Sequence, residues 1–266
     1  MKTPTLLNPI PKPVIPPIDD HANKYSRGVC ALAAGSEKMS GAAAFCALSC
    51  YAAGAGLVKI QYKPQTYPSL SVLCPECVFC DKDKLPEKAT AFALGCGCRD
   101  DDCLFLLDYR TPTVIDADGI TALSKHIDIL ERLNENTVIT PHSGEMARLC
   151  GVTAKEIESD RVGYARRFCE NYKGVLVLKG HNTIVAQGDK LTVDENPEKN
   201  LSTAGSGDVL CGIITGLLSR GMDAFDGAAA GVYIHSLAGK IAAQRYEFFT
   251  ARELINCISQ AFKSLG

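Results

Sequence analysis

Residues 202–208 read STAGSGD and run directly into the apolar stretch VLCGIITGLL. Gly205, Ser206 and Gly207 can turn successive backbone N–H groups toward one point, because glycine adopts conformations closed to other residues. At the start of a helix such donors, reinforced by the helix dipole, suit a phosphate. Asp208 then lies where a base would meet an attacking hydroxyl. A plainer reading of the same residues is equally open: a tight turn, with Asp208 as a helix cap. No lysine follows the glycines, so this is not a P-loop.

Five other segments carry residues able to act on such a ligand. TPHSGE places His142 after a proline and Glu145 three residues on, and a carboxylate beside polyphosphate usually orders magnesium, directly or through water. A lone histidine is more often a packed or surface residue than a ligand contact, so the plain reading stands beside this one. DADG offers Asp116 and Asp118, either as acceptors of a substrate hydroxyl or a magnesium ion, or as helix caps. LKGHNT carries Lys179 and Thr183 around a turn that could steer nucleotide phosphate or be a solvated strand end. GSEKMSG and GCG, at 35–41 and 95–97, are glycine-rich turns.

These segments share a position. Each follows a short apolar run of the kind expected for a buried strand: 29–34, 91–95, 113–118, 137–142 and 174–180. Helical patterns separate the runs. GAAAFCALSCYAA at 41–53 is one, halted by GAG at 54–56 before the strand LVKIQY. Residues 153–172 form another and open with Thr153 and Glu156 as a capping box. Alternating strands and helices favour a parallel sheet covered on both faces, whose ligands gather at the carboxyl ends of its strands. NTIVAQGDKLTVD reads as a hairpin turning at Gly188 and Asp189, a small antiparallel addition. The last sixty residues are mainly helical. Gly212 and Gly216, four apart, point to close helix packing.

The chain has 266 residues, 46% hydrophobic and 22% charged, with a formal net charge of -2. That composition suits one large globular domain. It offers no basic field for nucleic acid or an anionic membrane, and no apolar run is long enough to span a bilayer. Residues 1–23 are proline-rich and lack a signal-type apolar segment, so they read as an extended lead-in on the body of the protein. A cytoplasmic location is the expectation. Thirteen cysteines, odd in number and set in apolar stretches, suit reduced buried thiols rather than a disulfide framework. Cys74, Cys77 and Cys80 recur at three-residue intervals. No second ligand pair follows them, so free thiols are the leading reading and a structural metal the lesser one.

Taken in order, GSEKMSGAAAFCALSCYAAGAGLV, LGCG, DADGI, TPHSGEMARL, VLVLKGHNTIV and STAGSGDVLCGIITGLLSRG resemble the ADP- or ATP-dependent NAD(P)H-hydrate dehydratases, over about residues 24–240. These are ribokinase-like proteins that repair hydrated nicotinamide cofactors. The first strand departs from the family's usual VLVIGGS, and its GPGLG segment reads GCGCR here. The resemblance implies an α/β fold: a doubly wound, mainly parallel sheet flanked by helices on both faces, forming one domain over 1–266. It implies dehydration of the S form of NAD(P)H hydrate to NAD(P)H, with ADP (or ATP) giving AMP (or ADP) plus phosphate. Magnesium is implied as cofactor, with Glu145 as its ligand through water. By the same resemblance Asp208 is the catalytic acid or base. Ala42, Gly97 and His142 contact the hydrate with it, and Lys179, Gly180, His181, Asn182, Thr183, Gly205, Ser206 and Gly207 bind the adenine nucleotide. A homo-oligomer, a tetramer first, and the stand-alone form without a companion epimerase domain are further expectations. The competing reading is a ribokinase-like kinase of hydroxymethylpyrimidine or hydroxyethylthiazole type. A non-catalytic nucleotide- or metal-binding module built on the three cysteines is the reading from another class.

Overall fold

In a computed structural model, residues 8–99, 101–130 and 132–266 are described. Ten strands run in chain order as β1 (Asn8–Pro9), β2 (Val29–Ala33), β3 (Leu57–Gln61), β4 (Val78–Cys80), β5 (Ala91–Leu94), β6 (Thr113–Ile115), β7 (Thr137–Ile139), β8 (Val175–Leu178), β9 (Ile184–Gln187) and β10 (Lys190–Val193). Ten α-helices accompany them: α1 (Ser40–Ala52), α2 (Tyr67–Leu73), α3 (Asp118–Lys125), α4 (Ile127–Leu130), α5 (Ser143–Cys150), α6 (Ala154–Ser159), α7 (Arg161–Cys169), α8 (Ser206–Ser219), α9 (Ala224–Ala243) and α10 (Ala251–Lys263).

All ten strands form one sheet in the order β1-β10-β9-β8-β7-β6-β5-β2-β3-β4. From β8 through β4 every pairing is parallel, whereas β9 is antiparallel to both its neighbours. The chain winds outward from β2 through β3 to β4, then returns to place β5 on the other side of β2. The crevice between β2 and β5 is therefore a topological switch point, where open α/β sheets bind ligands.

Strand residues alternate between two cores, as the period of two in an extended chain requires. Cys30, Leu32, Ala91, Ala93, Val114 and Val138 face one cluster, which includes residues of α1, α8 and α9. Ala31, Ala33, Phe92, Leu94, Ile115 and Ile139 face the other, shared with α3, α5 and α7. A third cluster joins α8, α9 and α10. Helices α1 and α8 meet at close range: a Cβ at Gly212 would lie 2.2 Å from the Cys46 carbonyl, and one at Gly216 2.7 Å from Ala53 Cβ. Those two glycines are the packing stripe read from their spacing.

Three expectations are corrected. The helix expected over 153–172 is two helices, α6 and α7, because Asp160 leaves helical geometry at φ −151° and ψ 58°. Its carboxylate instead accepts from Gly163 N at 2.9 Å and starts the next helix, the local competition that disfavours aspartate within helices. The Thr153–Glu156 capping box is present. The run 137–142 is strand only to Ile139 and the run 113–118 only to Ile115, so 140–142 and 116–117 form loops and Asp118 opens α3. Helix α2 and strand β4, around Cys74 to Cys80, had no clear periodic signal. In the lead-in, Asn8 and Pro9 pair with Thr192 and Val193 of β10. Among the described residues, no helix is long and apolar enough to cross a membrane.

Candidate functional site

Because β2, β5, β6, β7 and β8 are parallel neighbours, the segments that follow them lie along one edge of the sheet. Helix α8 approaches that edge with Gly205 as its N-cap, at φ 87°. Glycine is required there: besides the positive φ, a Cβ would fall 2.7 Å from the Phe45 ring. No side chain caps α8, and Asp208 sits in its first turn. The capping role left open by the sequence is thus not what its carboxylate does. It lies within 4.8 Å of the Cys96 sulfur and of the Asp116 carboxylate. Burial, and then the neighbouring Asp116 charge, push its pKa up to about 7, against the pull of Cys96 and Lys179. A carboxylate tuned to that value is suited to exchange a proton at neutral pH.

Asp116 is buried at the end of β6. Its Oδ1 accepts from Thr140 Oγ1 at 2.8 Å and from Lys179 Nζ at 2.5 Å. Lys179 also lies 3.9 Å from Glu145 Oε2. One ammonium thus serves two carboxylates from two strand ends, and their charges hold its pKa up against burial. Ala117, next to Asp116, has φ 48° and ψ −115°, a conformation that costs an L-residue about 1–3 kcal/mol. Beneath it Gly95 passes so close that a Cβ would meet the Asp116 carbonyl at 2.1 Å. Asp118 turns away, with Oδ2 accepting from Arg99 N at 3.0 Å.

His142 caps α5. Its Nδ1 accepts from Gly144 N at 2.9 Å and Glu145 N at 3.2 Å, while Glu145 Oε2 accepts from His142 N at 2.8 Å. Nδ1 is therefore unprotonated, and the ring hydrogen is on Nε2, on an exposed side chain. Burial of the ring's inner part, with Lys179 and Arg148 nearby, lowers its pKa. Burial raises the pKa of Glu145, opposed by Lys179.

The predicted residues do not all converge. Asp208, Gly207, Lys179, Asp116 and Glu145 form one group: a Cβ at Gly207 would make ordinary contact, 3.4 Å from Lys179 Nζ and 3.5 Å from Asp116 Oδ2. Ala42 and Gly97 touch across the α1–β5 junction, where a Cβ at Gly97 would lie 3.0 Å from Ala42 Cβ. Gly180, His181 and Asn182 are exposed on the turn after β8, with Thr183 half-buried at its end. Thr183 Oγ1 donates to the Gly180 carbonyl at 3.2 Å and Asn182 Nδ2 to the Asp194 carbonyl at 2.9 Å, so these two shape the loop. Cys74, Cys77 and Cys80 are not among the groups whose donor atoms lie within 4.8 Å of one another in the described residues.

Two residues escaped sequence reasoning. Arg161, on α7, donates through Nη2 to the carbonyls of Leu178 at 2.9 Å, Lys179 at 3.2 Å and Asn182 at 3.4 Å, and through Nη1 to Ser143 Oγ at 3.2 Å. It ties the TPHSGE loop to the LKGHNT loop. His235, buried on α9, approaches the Ser206 carbonyl with Nε2 at 3.0 Å and Ser206 Oγ at 3.1 Å. Burial drives its pKa down to about 4, so the neutral ring donates to that carbonyl and fixes the glycine loop. A histidine within the apolar run AAAGVYIHSLAG was the available signal for the second. Nothing in its charged helix marked Arg161.

Hard oxygen donors suit magnesium, which keeps several waters and takes one or two carboxylates. Asp116 and Asp208 offer carboxylate oxygens within 4.8 Å of each other. Asp116 Oδ2 lies on the Gly207 side, 3.5 Å from where a Cβ there would sit, so the donor set fits.

The sequence matches the profile of the NAD(P)H-hydrate dehydratase family over residues 30–261. The chain is 34% identical over 235 residues to the ADP-dependent (S)-NAD(P)H-hydrate dehydratase of Neisseria meningitidis, covering 84% of this chain and 79% of that protein. It spans about half the length of the bifunctional NAD(P)H-hydrate repair enzymes it matches, 47% of that from Mycobacterium leprae. In structure it resembles the Bacillus subtilis ADP/ATP-dependent NAD(P)H-hydrate dehydratase co-crystallised with ATP and Mg2+, with TM-score 0.86 and 23% identity over 98% of this chain and 100% of that one. A ribokinase-like superfamily protein of Enterococcus faecalis has TM-score 0.85 and 23% identity, over 95% and 93% of the two chains. These two likenesses establish the ribokinase-like α/β fold. With the family match covering 30–261, the chain belongs to the NAD(P)H-hydrate dehydratase family.

Proposed function

We propose that this chain dehydrates the S form of NAD(P)H hydrate to NAD(P)H at the expense of ADP or ATP, with Asp208 as base. The observation that carries this reading is Asp208 itself. Its carboxylate is released from helix capping, has a pKa raised to about 7, and lies between a glycine-rich helix start and the Lys179–Asp116 pair.

In this mechanism the hydrate presents a hydroxyl on the ring carbon next to the nicotinamide nitrogen. Asp208 takes the hydroxyl proton as the terminal phosphoryl group of the nucleotide passes to that oxygen. The 205–208 backbone donors, held by His235 through Ser206, face the developing phosphoryl charge. Lys179 adds positive charge at the same point. Asp116, or Glu145 through water, would hold magnesium, which would neutralise phosphate charge. The ring nitrogen lone pair expels phosphate, and loss of a ring proton restores the dihydropyridine. His142, through Nε2–H, and the Ala42–Gly97 contact border the hydrate, while Lys179 to Thr183 and Gly205 to Gly207 border the nucleotide. The same reading takes 1–266 as one domain and the active form as a cytoplasmic homo-oligomer, a tetramer first.

Recovery of absorbance at the reduced-nicotinamide band, run with each hydrate and each nucleotide, tests the proposal. Nucleotide-dependent recovery that disappears in Asp208→Asn supports it. A phosphorylated alcohol product with no recovery would instead identify a small-molecule kinase of this fold.

A further inference from the structure

Beneath Asp208 the site is lined with sulfur. Cys46 on α1, Cys96 after β5 and Cys211 on α8 are fully buried. The three sulfur atoms lie within 4.8 Å of one another. A tetrahedral zinc site, with Zn–S near 2.3 Å, holds its sulfurs about 3.8 Å apart, so only a small contraction separates this trio from ligand geometry. The nearest carboxylate is Asp208, which lies within 4.8 Å of Cys96 Sγ and one helical turn before Cys211, and would swing toward the other two sulfurs to complete the site.

We propose that Cys46, Cys96 and Cys211 form a site for a thiophilic d10 cation of the zinc class, with the Asp208 carboxylate as fourth ligand. Binding exchanges three S–H protons for one Zn2+, leaving a complex of one negative charge before the carboxylate is counted. No electrons move. The Lys179 ammonium is near enough to Cys96 to interact with its charge. The donor set rejects magnesium, which prefers oxygen, and thiolate ligation separates the two cations chemically. Three rigid elements supply the sulfurs, so a bound ion would clamp α1, α8 and the end of β5 together. The site stands on sulfur geometry alone. Its consequence, that zinc removes the base and stops turnover, rests on the proposed function.

Metal binding is measured first, without reference to catalysis. Reduced protein is titrated with Zn2+ against a chromophoric chelator, and with Co2+ as a spectroscopic probe, anaerobically. The expected result is one tight equivalent, about three protons released, and the thiolate charge-transfer and ligand-field bands of tetrahedral Co2+. Cys46→Ala and Cys211→Ala, each checked by thermal melting, should weaken that equivalent at least a hundredfold, whereas Cys74→Ala should leave it unchanged. An equivalent that survives both Cys46→Ala and Cys211→Ala, or an octahedral Co2+ spectrum, would overturn the site. Turnover is measured separately, using the hydrate assay, with inhibition by stoichiometric Zn2+ expected in the parent and relieved in Cys46→Ala. Tight thiolate binding in a protein inactive on every hydrate would uphold the site and refute the proposed function.

Discussion

Lys179 Nζ lies 2.5 Å from Asp116 Oδ1, and the two side chains are only 19% and 2% exposed. Most of what the strand ends do electrostatically passes through this pair. It neutralises Asp116, which would otherwise raise the pKa of Asp208 further, and it keeps Asp116 Oδ2 free toward Gly207. Removing one member of a buried pair strands the other, at about 3–5 kcal/mol. Lys179→Met should therefore destabilise the fold by about that amount in urea titrations and abolish turnover. Lys179→Met combined with Asp116→Asn should recover much of the stability and none of the activity. A double-variant loss equal to the sum of the Lys179→Met and Asp116→Asn losses would show that the pair contributes no coupling.

Gly207 separates binding from folding. A methyl group there meets nothing closer than 3.4 Å, ordinary van der Waals contact, and alanine favours a helix over glycine by about 1 kcal/mol. Gly207→Ala should fold at least as stably as the parent, yet push a methyl into the space facing Lys179 and Asp116. Its KM for nucleotide is expected to rise at least tenfold. Gly205→Ala makes the contrast, since φ of 87° and the Phe45 ring oppose it, and its melting temperature should fall. Unchanged nucleotide kinetics in Gly207→Ala would remove this space from the phosphate site.

The strand ends were legible because each is an apolar run closed by a glycine, a proline or an acid, and parallel strands must place such ends on one edge. Asp208 was legible as a base or, equally, as a helix cap. Setting the cap aside required seeing Gly205 take that position. Arg161 and His235 were not legible, since each acts across more than fifteen residues of sequence through backbone carbonyls, and such contacts leave no spacing pattern. The break at Asp160 was hidden for a related reason. An aspartate within a helical pattern is compatible with continuation until tertiary packing favours a new cap. Thiol contacts between α1, β5 and α8 likewise exist only in three dimensions.

Arg161 offers a prediction of its own. Its guanidinium accepts no substitute that keeps only charge, because three carbonyls and Ser143 Oγ are met by its fork, and lysine cannot reproduce that geometry. Arg161→Lys should raise KM for nucleotide about tenfold by loosening the 178–182 turn, with a smaller change in kcat. A loss confined to kcat would place the effect of Arg161 on the proton-transfer step instead.

Asp208 governs both rate and stability as pH changes, with opposite signs. The proposed mechanism needs its ionised form, so kcat/KM should rise tenfold per pH unit below about 7, the value to which burial and Asp116 raise it, and level off above. Stability runs the other way. At pH 3 the group is protonated in folded and unfolded chains alike and contributes nothing. Between about pH 4 and 7 the unfolded chain releases the proton while the native state retains it, so stability falls as pH rises through that window and stays lower above it. A shift of about three units corresponds to a loss on the order of 4 kcal/mol. Asp208→Asn lacks this titration. It should be inactive at every pH and, in urea titrations from pH 4 to pH 8, should gain stability relative to the parent as pH increases. A parent-minus-variant difference that stays flat across the window would mean that Asp208 is an ordinary acidic carboxylate, and the base would have to be sought elsewhere.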